Sequence, residues 1–114
     1  MKMILNTKED CVANISRALE RTSLWRKAMT FRWPDDPRNM RAAKKLDQLA
    51  LDAADLTESE WLMLQSHYGW TSEKWRNALN ETARQVGFFH RADNVSHFVK
   101  ALVQNLSLSS GIAA

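Results

Sequence analysis

Apolar residues return every three or four positions along this chain, and cap and stop signals separate the stripes. Cys11, Val12, Ile15, Ala18 and Leu19 form the first stripe, with Thr7 as its cap and Asp10 three residues further on. The spacing predicts a helix to about Arg21. Thr22-Ser23 is an expected restart or bend, after which Leu24, Trp25, Ala28 and Met29 continue on a shifted face. In FRWPDDPRN, Pro34 disfavours helical geometry at Trp33, and Asp36-Pro37 reads as a cap followed by proline in the first helical position. The helix from Pro37 to about Ala54 is expected to bury Met40, Ala43, Leu46, Leu49, Ala50 and Ala53. Arg38, Arg41, Lys44 and Lys45 fall on its outer face.

Thr57 and Glu60 make a capping box for a short helix that stops at Gly69. Thr71 or Ser72 caps the next, whose inward positions are Trp75, Ala78, Leu79, Thr82, Ala83 and Val86, and Gly87 ends it. Asp93 is the expected cap of a last helix striped by Val95, Phe98, Val99, Leu102, Val103 and Leu106. No segment alternates apolar and polar residues in the manner of a strand. The expected fold is therefore all-α: a compact single-domain bundle of five or six short helices within residues 1–106, with a helix-turn-helix-like pair at 58–86 and a flexible tail at 107–114.

Composition adds three constraints. A chain of 114 residues can bury a core without disulfides or metals, and only three glycines and two prolines interrupt its helix formers. The lone Cys11 has no partner for an internal disulfide. The apolar run in MKMIL is too short for a signal-peptide core, and no run is long enough for a bilayer, so a cytoplasmic location is expected, with no membrane partner. Met1 to Lys45 holds eleven basic residues against five acidic ones, and the remainder five against eight. Folding decides whether that asymmetry becomes a polar surface or is erased.

The stretch EWLMLQSHYGWTSEKWRNALNE resembles the helix-turn-helix of lac-repressor-type repressors over about a fifth of the chain. Gly69 stands at the turn and Trp70 at the apolar lock. The resemblance implies that Lys74, Arg76, Asn77 and Asn80 face DNA, with Arg and Asn suited to guanine and adenine edges. Gln65 stands where that motif carries a small residue, and Glu58, Glu60 and Glu73 set negative charge where phosphates would lie. A plain packing corner at Gly69 explains the same residues.

Enzyme signatures are absent: there is no nucleophile elbow, P-loop, zincin or dinucleotide motif. Asp36 serves more simply as a helix cap than as half of a carboxylate pair with Asp35. His67, His90, His97 and Cys11 lack zinc spacing, so neither metal nor cofactor is expected. The basic run Arg26, Lys27, Arg32, Arg38, Arg41, Lys44 and Lys45 offers a binding face, with Trp25 or Trp33 as a stacking surface. Arg32, Trp33, Arg38, Arg41, Lys44 and Lys45 form the preferred contact set, since Trp and Arg together are favoured at binding hot spots. The expected function is a small non-catalytic adaptor, inhibitor or regulator that binds a partner protein. A helix-turn-helix-type DNA-binding regulator is the alternative and a small enzyme a distant third. Self-association follows if Trp33, Trp70 or Phe88-Phe89 stay exposed.

Overall fold

Thr7 opens the fold. Its hydroxyl accepts the Asp10 backbone N–H at 3.1 Å, and α1 (Lys8–Arg32) starts beyond it. The computed structural model describes residues 7–65, 72–88 and 92–111. After α1 come α2 (Arg38–Asp52), a 3-10 turn at Ala53–Asp55, α3 (Glu58–Gln65), α4 (Ser72–Gln85) and α5 (Val95–Gly111). The chain is an all-α bundle. The Gly69 turn, Trp70, the Thr71 cap, Phe89 and His90 lie outside the described residues.

The expected break at Thr22-Ser23 does not occur, and α1 is one helix of 25 residues. The reason lies in the hydroxyls, which find partners without disturbing the backbone. Thr22 donates back to the Ala18 carbonyl at 2.8 Å. Ser23 reaches across to Asp47 Oδ1 at 2.6 Å. At about 1.5 Å per residue α1 is ~37 Å long, close to the 43 Å longest dimension of the molecule. It is thus the beam against which the other helices assemble.

α1 and α2 form an antiparallel hairpin, because contacts that climb α1 descend α2. Ser16 donates to the Ala50 carbonyl at 3.0 Å, Ser23 contacts Asp47, and Arg26 contacts Asn39. Asp36 caps α2 as expected, its Oδ1 accepting the Arg38 N–H at 3.0 Å. The inward register of α2 differs at its start: Asn39 and Ala42 are buried and Met40 is exposed. Asn39 turns inward because its carbonyl oxygen accepts from the Arg26 guanidinium at 3.3 Å. Both basic segments lie on this one hairpin, so folding keeps the positive half of the chain together.

The Thr57–Glu60 capping box forms in both directions, at 2.9 and 3.1 Å. α4 packs mainly on α5 and α1, while α3 touches α1 and α5. Asn105 of α5 ties to Thr82 of α4 at 2.8 Å. The last helix is capped by Asn94, which accepts the His97 N–H at 3.0 Å, and not by Asp93. Asp93 instead pairs with Lys45 of α2 at 3.3 Å. The core joins Ile15 and Leu19 of α1, Leu46 and Leu49 of α2, Trp75 of α4, and Phe98 and Leu102 of α5. Cys11 sits within it, and burial pushes its thiol pKa up to about 12.

Candidate binding surface

The unbroken α1 carries two faces. One supplies Cys11, Ile15, Ala18 and Leu19 to the core. The other carries Arg17, Arg21, Leu24, Trp25, Ala28, Phe31 and Arg32, all exposed. Leu24 is 66% exposed and Phe31 89%, and seven-residue spacing sets them on one line of the helix. An apolar strip bordered by arginines, with Glu20 as its acidic neighbour, therefore faces solvent along α1.

The strip ends at the α1–α2 turn. Trp33 closes α1, its N–H donating to the Met29 carbonyl at 2.8 Å, and its ring is 58% exposed. The Arg32 guanidinium lies 6.0 Å from that ring, and the segment from Arg32 to Pro37 lines an open depression. Arg38 is held differently. It grips Asp36 through two nitrogens, at 2.8 and 3.0 Å, and these bonds keep the Asp36 carboxyl down at about 2. Its charge is already matched by that pairing.

Arg41 and Lys44 are exposed further along α2. With Lys45, Gln48, Leu49, Asp52 and Asp93 they line a separate depression of mixed charge. The contact set read from sequence thus divides between the α1–α2 turn and the outer side of α2. Two members of the basic run leave it. Lys27 pairs with Asp47 at 3.0 Å. Arg26, expected on the surface, is 9% exposed, because three helix-borne groups enclose it.

The surroundings of Arg26 are unusual for a buried cation. Its guanidinium lies 3.9 Å from the Phe88 ring and 4.5 Å from that of Trp25. Arg84 lies 5.8 Å from Trp25, and Arg38 5.2 Å from Phe88. Cations and rings therefore alternate from Arg84 through Trp25, Arg26 and Phe88 to Arg38, each within cation–π range. Arg26 also donates to Asn39 and, at 2.6 Å, to the Arg84 carbonyl. Among the described residues it has no carboxylate partner, and its Nε has no hydrogen-bond partner. Burial first, and then the charges of Arg84 and Arg38, lower its pKa.

Beside this chain of contacts, α1 and α4 form a cleft of about 280 Å³ lined by Arg21, Thr22, Trp25, Asn80 and Arg84. It has no acidic lining residue. Of the four α4 residues considered for DNA, Lys74, Arg76 and Asn77 are exposed, while Asn80 is half-buried in this cleft. Trp75, Ala78 and Leu79 occupy the inward side of the same helix.

Sequence reading missed the outward strip and the Arg21–Arg84 cleft. The strip had a signal: two apolar stripes at helical spacing within one uninterrupted helix, the second flanked by arginines. The cleft had none, since Arg21 and Arg84 are brought together only by packing. Among the described residues no helix is long and apolar enough to cross a membrane, and no group of three His, Cys, Asp or Glu is placed to hold a metal. Comparison with family models, curated proteins and solved structures gives no match.

Proposed function

We propose that this chain is a non-catalytic regulator or adaptor that docks an acidic, apolar-bearing surface of a partner protein onto the outward face of α1 and the turn after it. The observation that carries the reading is the exposed line Leu24–Ala28–Phe31, continued by Trp33 and bordered by Arg17, Arg21 and Arg32. Exposed aromatics next to arginines supply the anchors that dominate protein interfaces. The arginine border favours a partner of opposite charge, through both steering and register. Glu20 is the acidic residue on this face, so an acidic partner meets little repulsion.

A second reading, DNA recognition through α4, draws on the exposed Arg76 and Asn77 beside Lys74. It is less favoured, because the apolar strip of α1 has no use against a phosphate backbone and the acidic Glu73 and Glu81 share the exposed side of α4.

The test is site-specific photo-crosslinking from position 31 in source cells, with nuclease treatment of the lysate. A discrete, nuclease-resistant protein adduct that Leu24→Ser and Arg32→Glu abolish is expected. Its acidic contact segment would be identified by mass spectrometry. Adducts to nucleic acid only, or a protein adduct indifferent to both substitutions, would reject docking on this face.

A further inference from the structure

We infer that the α1–α4 cleft is a binding site for a dianionic oxyanion, a phosphate monoester group. The argument starts from charge. Arg21 and Arg84 line the cleft from opposite helices, and the Arg26 guanidinium lies behind it, bonded to the Arg84 carbonyl. The ion pairs among the described residues use Lys27, Arg38, Lys45 and His97, and none includes Arg21, Arg26 or Arg84. Like charges gathered in and beside a recess repel one another. A buried cation without a counter-ion is costly as well. An anion in the cleft would offset both.

The rest of the lining fits the same ligand. The Asn80 side-chain amide can donate to an oxygen. The Thr22 hydroxyl is spent on the Ala18 carbonyl, so it contributes acceptance and not donation there. The planar guanidinium forks of Arg21 and Arg84 match the geometry of phosphoryl oxygens. The Trp25 ring, flanked by Arg26 and Arg84, forms the apolar wall and holds those cations by their π contacts. At about 280 Å³ the cleft is below the usual size of a drug-like site. It suits a single charged group, free or carried on a larger molecule.

This inference does not rest on the docking face. Asn80 and Arg84 belong to α4, and the test uses no partner protein. Phenyl phosphate, inorganic phosphate and dimethyl phosphate would each be titrated against the chain at constant ionic strength. Binding would be followed by the NMR signals of the arginine Nε–H groups and by thermal unfolding. The expected result is saturable binding of phenyl phosphate and of inorganic phosphate, with shifts centred on Arg21 and Arg84. Binding of inorganic phosphate comparable to phenyl phosphate indicates a free-anion source, and a strong preference for phenyl phosphate indicates an ester; either supports the site. Arg21→Gln and Arg84→Gln should each weaken binding about tenfold or more, the scale of one lost charge-assisted hydrogen bond. Both side chains are exposed, so both variants should fold, and the exposed Lys100→Gln serves as a charge control. No saturable binding, equal binding of the diester, or equal weakening by Lys100→Gln would each overturn the inference.

Discussion

Replacing Gly87 by alanine tests how the end of α4 is seated. Gly87 has φ +82°, a left-handed conformation that an L side chain resists. A Cβ at this position would meet the Ala42 Cβ at 3.0 Å and the Ala42 Cα at 3.3 Å. The obstacle includes backbone of α2, so it cannot swing aside as a flexible side-chain tip would. The left-handed φ costs alanine roughly 1–2 kcal/mol, and overpacking adds roughly 1–3 kcal/mol. A more restricted unfolded chain returns about 0.4–1 kcal/mol. The net expectation is a loss of about 2–4 kcal/mol in urea denaturation followed by far-ultraviolet circular dichroism. The two sources separate in a double-mutant cycle with Ala42→Gly, which removes the clash but not the backbone strain. The double variant should be more stable than additivity allows, by about 1–2 kcal/mol. A loss below about 1 kcal/mol for Gly87→Ala, or no coupling to Ala42→Gly, would refute this account. The position matters beyond stability, since Gly87 directs the next residue, Phe88, over Arg26.

Further expectations follow from burial and capping. Leu102 is fully buried, so Leu102→Ala should cost roughly 2–5 kcal/mol, whereas Trp33→Ala should cost far less and show its effect in partner crosslinking; equal losses of stability would place Trp33 in the core. Burial works to raise the Glu60 pKa, but hydrogen bonds from Thr57 and Ser96 outweigh it and hold the group below its ordinary value. A depressed carboxylate contributes stability that is present above its unfolded pKa, near about 4.3, and is lost as pH falls through its lower folded value. Glu60→Gln should therefore flatten the acid limb of stability against pH below that point, and an unchanged limb would deny Glu60 this role.

The physical reasons for what was legible in the sequence are local. Thr7, Asp36 and the Thr57–Glu60 box act on backbone groups two or three residues away, so their spacing alone announces them. Gly87 belongs with them, since a helix stop needs the left-handed conformation that glycine tolerates. The inward stripes of α4 and α5 were legible because burial on a helix repeats with its turn. Tertiary structure decided matters in which two segments compete for one group. Thr22-Ser23 looks like a helix break until the hydroxyl of Ser23 finds Asp47, far along the chain on α2. Met40 faces outward because Asn39 is drawn in to Arg26. Arg26 reads as a surface charge until Trp25, Phe88 and the Arg84 carbonyl close around it. Asp93 yields the cap of α5 to Asn94 and pairs with Lys45 instead. The cleft of Arg21, Asn80 and Arg84 lies furthest from sequence reading. Its residues are separated by more than fifty positions and share no periodicity, and only the crossing of α1 with α4 brings their charges together.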